Sequence, residues 1–381
     1  MKAAALTRVQ RVPSQAVGFS AQWSRSLSQK QTLVAGFDGR EVRGTSDELV
    51  FVQNRASAIV AAGGRERTLS FFVEDIFRVT DRLIVKGGVR LDRWRNYGAL
   101  QTTQPVRQTG PATAATTINL FPDRRERALS PQLSVLYSLN DRVSLSASVY
   151  RAFRQPTLNE LYRSFRVGDA LTLANENLRA ERLTGGEAGV STIWLNQRLN
   201  VRGTFFWTET TRPISNVTLS TTPNLITRQR QNLGRTRSRG IEIEAEARVR
   251  EHWTITGGYL FADASVLRFP TNTALEGLRL PQVARHQLNL QMRYTNRALF
   301  NEGLQTRLAG AQFDDDQNRF RLGRYFVMDA LVSKPFARGL EIFGAVENLL
   351  NQKYEIGRTP TTTLGPPRLL RVGLRWRLGT Q

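Results

Sequence analysis

The chain has 381 residues, with 54 Lys and Arg against 32 Asp and Glu and a formal net charge of +22. It contains no Cys, which removes disulfides and Cys-ligated metals. Its mean hydropathy is −0.36, and no stretch approaches the roughly 18 apolar residues of a membrane helix, so a helical membrane protein is excluded. A membrane β-barrel is not, because alternating strands average to a low hydropathy. The basic excess is nearly all Arg, spread along the chain without a long basic run or a compact aromatic–basic patch. Nucleic acid is therefore not an expected partner.

In chain order, the opening MKAAALTRVQRVPSQ has too short an apolar run for the roughly 7–15-residue core of a signal peptide. Either the protein stays inside the cell or its true N-terminus is missing. A strict period of two then recurs. Val17, Phe19, Ala21 and Trp23 alternate with polar or small residues, as do Leu83, Val85, Val89 and Leu91. The same holds for Leu133, Val135 and Tyr137, for Val143, Leu145, Ala147 and Val149, and for Leu199, Val201, Phe205 and Trp207. Leu288, Leu290, Met292 and Tyr294 follow, and the last strand sets Leu370, Val372, Leu374 and Trp376 against Arg371 and Arg375. Alternation sends successive side chains to opposite faces of a strand. Each unit runs about 9–13 residues, near the length that crosses a bilayer obliquely, and about fifteen such units can be counted.

Residues 241–249, IEIEAEARV, state the pattern most sharply. Ile241, Ile243, Ala245 and Ala247 form one wholly apolar face, and Glu242, Glu244 and Glu246 a wholly acidic one. In a transmembrane barrel the first face meets lipid and the second a polar lumen. Lumenal arginines such as Arg202 or Arg293 are the expected partners of the acidic rung.

Connections alternate as well. Short ones (LSQ, VTDR, LND, LNQ, REH, TNR, FARG) are separated by long polar ones spanning about 40–65, 97–128, 153–181, 211–237, 263–284, 313–323 and 350–366. Outer-membrane barrels keep tight periplasmic turns at one end and long extracellular loops at the other. Tyr137, Trp194, Trp253, Tyr294 and Trp376 lie near the short turns, and Trp207, Tyr259 and Phe261 near the long loops. Two such belts suit the two lipid–water interfaces.

Several segments resemble one family. YRAFRQPTLNELY (150–162) followed by NENLRAERLTGGEAGV (175–190) is similar to a motif pair of TonB-dependent outer-membrane receptors. RTRSRGIEIEAE (235–246), LPQVARHQLNL (280–290) and AVENLLNQKYEI (345–356) resemble further segments of these receptors. The resemblance implies a 22-stranded barrel around an N-terminal plug, preceded by a TonB box that links it to the energised inner membrane. The chain shows no plug, no TonB box and only about fifteen strands, so residues 1–381 read as the C-terminal portion of such a barrel. The final LGTQ also lacks the terminal aromatic usual in barrel assembly.

Enzymatic signals are poor. His252 and His286 are the only histidines, and neither sits in a context that suits a triad or a zinc site. Asp314, Asp315 and Asp316 read as solvated loop charge rather than as a cation site. Arg154, Tyr162, Arg163 and Arg166 could hold an anionic, aromatic ligand such as a ferric siderophore through charge-assisted hydrogen bonds. Pro156, Asn159 and Leu161 read as shaping the base of that loop.

The expected function is the barrel portion of an outer-membrane receptor for active uptake of a scarce nutrient (ferric siderophore, cobalamin or similar), with no cofactor and no metal. A passive or adhesive outer-membrane barrel is the alternative. Expected partners are lipid, the missing plug-bearing portion, the TonB complex through that portion, and a small ligand. Glu242, Glu244, Glu246, Asp329, Glu341, Glu347, Arg371 and Arg375 are expected to face the lumen, where the resemblance places plug contacts. An odd number of meandering strands leaves the first and last parallel, so an open half-barrel is expected.

Overall fold

A computed structural model describes residues 6–106, 115–296, 298–336 and 339–376. Residues 377–381, with the non-aromatic terminus, lie outside them. One antiparallel sheet of seventeen strands dominates the molecule. All but two of these strands form a single meander of fifteen. They are β1 (Ser14–Ser28), β2 (Gln31–Val52), β3 (Arg55–Thr80), β4 (Leu83–Pro105), β5 (Arg124–Ser138), β6 (Val143–Arg154), β7 (Glu181–Trp194) and β8 (Leu199–Thr211). They continue as β9 (Arg235–Arg250), β10 (Trp253–Arg268), β11 (His286–Asn296), β12 (Phe300–Ala309), β13 (Tyr325–Pro335), β14 (Leu340–Glu347) and β15 (Leu369–Trp376). Each pairs antiparallel with its sequence neighbour. Among the described residues no ladder joins β1 to β15, so the sheet is open, as the odd strand count requires.

Several of the short turns are closed by local side-chain acceptors. Asn140 Oδ1 accepts from the backbone N–H groups of Arg142 and Val143 at 2.8 and 2.9 Å, and Thr80 Oγ1 does the same for Arg82 and Leu83. Such polar caps compete well with the ladder at a strand end. At the other end several of the expected long loops prove to hold regular structure. The span 40–65 is no loop: β2 and β3 continue through it, 22 and 26 residues long, to a turn at Gln53 and Asn54. Both residues have positive φ, 49° and 61°, as a tight hairpin turn demands. Residues 153–181 hold a one-turn helix, Leu158–Tyr162, and a small hairpin. A four-stranded sheet unites that hairpin with Ile214–Thr222 and Leu225–Asn232.

Ladder partners share a face, which fixes the register of the whole sheet. The helix Leu158–Tyr162 and Trp94 lie on the inner face, continuous with Glu242, Glu244 and Glu246. The rung Glu242–Thr204–Gly189–Ser146–Leu136–Ile84 reaches the strand of Trp94, where Ile84 and Trp94 share a face, and Glu246–Thr256–Gln291–Gln305–Asp329 carries the same face to β13. The opposite, aliphatic face is open to the surroundings. Ile241 and Ile243 are 47% and 44% exposed, and on the edge strand β15 Leu370, Val372 and Leu374 are 70%, 86% and 70% exposed. A soluble core would bury these residues, whereas a lipid-facing belt leaves them bare. Trp253 and Tyr294 pair across one end of the belt with ring centroids 5.0 Å apart. Tyr259 and Phe261 gather around His286 at the other, the Tyr259 hydroxyl 2.8 Å from His286 Nδ1.

Candidate ligand vestibule

The segment after β6 folds back over the inner face of the tall hairpin. Thr157 starts the helix Leu158–Tyr162 with a reciprocal capping box: its Oγ1 accepts from Glu160 N–H at 3.2 Å, and Glu160 Oε2 accepts from Thr157 N–H at 2.8 Å. Such a box satisfies backbone donors that a short helix leaves open. Leu161 and Tyr162 then enter a cluster with Trp94, Ala99 and Leu178. Tyr162 packs tilted against Phe121, ring centroids 4.8 Å apart, and donates its hydroxyl to buried Asn96. Burial pushes the Tyr162 phenol up to about 12.

Beneath this segment lies a cavity of ≈ 540 Å³. Arg154, Tyr162 and Arg163 all contribute to its wall; Arg166 does not. Arg154 is held between two carboxylates, 3.1 Å from Glu160 and 2.7 Å from Glu181. Burial opposes ionisation of Glu160, but Arg154 and the Thr157 N–H outweigh it and hold the carboxyl below its usual range. Arg163 donates to Gln10 at 2.7 Å and to Asn159 at 3.3 Å, and lies over the Phe165 ring at 5.3 Å. Arg166 donates to the Gly168 carbonyl and approaches Asp169 at 3.9 Å. Tyr162 is thus chiefly a packing residue. Among the described residues, exposed Arg40 on the cavity wall makes no ion pair.

The sequence reading missed Arg230. It is 8% exposed, donates to the carbonyls of Asn159 and Arg163 at 2.7 and 3.1 Å, and covers the other reach of Phe165 at 5.2 Å. Burial lowers its pKa, since few carboxylates offset the desolvated charge. With Arg228 and Glu160 it lines a second cavity of ≈ 590 Å³ on the far side of the helix. No local signal in RQRQN marks it, because its partners are carbonyls 67 and 71 residues away.

That second cavity ends at the three aspartates, which are not solvated as expected. Asp314, Asp315 and Asp316 are all buried. Asp314 accepts from the N–H groups of Arg358 and Thr359, from the Thr359 hydroxyl and from Gln282, all within 2.7–2.9 Å. Asp315 caps the N–H groups of Arg319 and Phe320, and Asp316 accepts from Thr218 N–H at 2.9 Å. The triad ties separate extracellular connections together. Among the described residues no three His, Asp or Glu side chains are placed to hold a metal.

The inner charges of the short strands form pairs: Glu341 with Arg375 at 2.9 Å, Glu347 with Arg371 at 3.0 Å, and Asp329 with Arg307 at 3.2 Å. The acidic rung behaves differently from expectation. Arg202 lies opposite Glu244 in register but its Nε donates to Ser191 Oγ. Arg293 faces Thr254 and Gly303, and Glu246 instead meets Arg248 of its own strand at 3.7 Å.

Comparison with known proteins gives the same picture. The chain is 34% identical over 129 residues to the ferrichrome outer membrane transporter/phage receptor of Escherichia coli K12, covering 32% of this chain and 17% of that one. It is 26% identical over 276 residues to the metal-pseudopaline receptor CntO of Pseudomonas aeruginosa, covering 70% and 34%. The ferric yersiniabactin uptake receptor FyuA of Yersinia pestis superposes with a TM-score of 0.74 at 16% identity, over 98% of this chain and 56% of that one. The copper transporter OprC gives 0.74 at 15%, over 97% and 57%; identities this low carry the fold alone. The chain therefore spans about half the length of these structures and a third or less of the curated relatives. The family described as TonB dependent receptor-like, beta-barrel matches residues 6–349, so the chain belongs to the TonB-dependent receptor β-barrels of the Gram-negative outer membrane.

Proposed function

We propose that this chain is the larger part of the barrel of a receptor that takes up an anionic metal chelate by TonB-dependent active transport. The open edges of β1 and β15 are where further strands of the same receptor attach, and the plug and the TonB contact come with them. The observation that carries this reading is the capped inner face. Under the loop sheet lie two cavities of ≈ 540 and ≈ 590 Å³, in the range of small-molecule sites. Arg40, Arg154, Arg163, Arg228 and Arg230 stand in their walls. Guanidinium groups there suit the carboxylate or phenolate oxygens of a chelate. Names of relatives such as FyuA and CntO, which concern ferric yersiniabactin and metal-pseudopaline, support the ligand class.

An unclosed edge leaves backbone donors and acceptors without partners in lipid, at several kcal/mol each, so uptake requires the closed receptor. The test is accumulation of radiolabelled ferric chelates by receptor-deficient cells producing the complete receptor, with and without TonB. Accumulation should vanish when TonB is deleted or the proton gradient is collapsed. Flux proportional to external concentration and indifferent to both would instead establish a passive barrel.

A further inference from the structure

The cavity beneath the 155–163 segment carries four charged side chains in its wall, Arg40, Glu66, Arg154 and Arg163. Two of them are already engaged within the protein. Arg154 lies between Glu160 and Glu181. Arg163 donates to Gln10 and Asn159 and approaches buried Glu48 at 3.9 Å. Among the described residues neither Arg40 nor Glu66 makes an ion pair. The wall therefore presents one free cation and one free anion to whatever enters.

Glu66 is the costlier of the two. It is only 9% exposed, and a buried carboxylate is expensive to keep without a partner charge. Among the described residues its hydrogen bond comes from Gln155 Nε2 at 3.5 Å, longer than an ordinary one. Asn96 stands directly opposite Glu66 on β4, and Trp94 lies one step diagonal. Neither closes on it, since Trp94 Nε1 and Asn96 Nδ2 reach no acceptor. Native folds leave few buried polar groups in this state.

Arg40 and Glu66 are placed to meet, yet do not. Across the β2–β3 ladder Val42 faces Glu66 and Arg40 faces Thr68. The two charges are thus diagonal neighbours on the inner face, roughly 7–8 Å apart at their Cβ atoms, a gap that long side chains can close. Here the cavity stands between them instead. An α-amino acid group matches that gap. Its carboxylate accepts from the guanidinium fork of Arg40, and its ammonium, on the adjoining carbon, donates to Glu66. A plain anion would answer Arg40 and leave Glu66 buried, unpaired and repelling it. We propose that this cavity selects a metal chelate ending in a zwitterionic α-amino acid, its carboxylate on Arg40 and its ammonium on Glu66. The proposal rests on the chelate reading above and names the group by which the chelate is held.

The test measures binding of two probes to the purified complete receptor. One is a ferric trihydroxamate whose chain ends in a free α-amino acid, and the other is the same chelate N-acetylated at that amine. Acetylation removes the ammonium and keeps the carboxylate. The free form should bind at least about tenfold tighter, as one charge-assisted hydrogen bond implies. Glu66→Gln, which keeps the side-chain shape and removes the charge, should abolish that preference. Arg40→Gln should weaken both probes, because both carry the carboxylate. Equal binding of the two by the wild type, a comparison that needs no variant to fold, would overturn the proposal. So would an unchanged preference in Glu66→Gln. Equal binding would leave TonB-dependent accumulation standing, and accumulation without TonB would leave the difference between the probes standing, so the two readings fail separately.

Discussion

The two ends of the sheet use the same alternating grammar and reach different states. The strands β2, β3 and β4 are 22, 26 and 23 residues long, whereas β12–β15 are 10, 11, 8 and 8. At about 3.3 Å per residue, roughly 10 residues cross the bilayer, so the first group stands far above it and the second barely spans it. On the tall strands the inner face is sealed by the 155–163 segment, and Trp94 and Asn96 are fully buried. On the short strands the inner face keeps Glu341, Glu347, Arg371 and Arg375 in partly exposed pairs. Alternation decides which residues face inward. Strand length and the cover above decide whether facing inward means burial.

That contrast is open to measurement. The largest effect is expected for Trp94→Ala, which removes the centre of the sealed cluster and should cost about 3–5 kcal/mol in urea unfolding of the protein in detergent. Leu374→Ala, on the exposed edge, should cost under about 1 kcal/mol in the same assay; equal losses would show that the tall strands hold no core of their own. Next comes Gly240→Ala, in the family-like segment 235–246. A Cβ there would lie 1.8 Å from the Phe261 carbonyl oxygen and 2.7 Å from the Phe206 ring, so the β9–β10 ladder must part. A loss of about 1–3 kcal/mol is expected, and a variant as stable as the parent would mean the ladder yields freely at that rung.

Asp314 tests whether the loops over the short strands are held by one carboxylate. Burial opposes its ionisation, but hydrogen bonds from Thr359, Gln282 and the Arg358 and Thr359 amides keep its pKa below 3.8. A carboxyl depressed on folding stabilises above its unfolded value, about 3.9; that contribution is lost as pH falls through the lower folded value. Amide protection at Arg358 and Thr359, taken relative to intrinsic exchange at each pH, should therefore fall on acidification below about pH 4. Asp314→Asn should lower the protection free energy of these amides at neutral pH by about 2 kcal/mol and lose the acid step. Slow exchange in that variant would remove Asp314 from the role. The smallest effect is expected for Arg375→Gln. Its pair with Glu341 is half exposed, so no more than about 1 kcal/mol should be lost, and a larger cost would show that the short strands depend on their lumenal charges.

The sequence by itself determined the fold class, the fifteen-strand count, the inward and outward faces, the alternation of short and long connections, and the open edge. All of these follow from period-two patterning and turn chemistry, which are local and leave a direct trace in residue order. It also brought Arg154, Tyr162 and Arg163 to notice, three residues that the fold gathers at one cavity. Only the tertiary structure decided that 40–65 is a continued hairpin, since polar alternation above the bilayer reads like a loop until its partner strand is known. Only it buried the three aspartates, whose donors come from Thr218, Gln282 and Thr359. Only it made Arg230 the post of the vestibule. Such partners lie tens of residues apart, and the energy of a buried charge depends on what closes around it, which no single stretch of sequence carries.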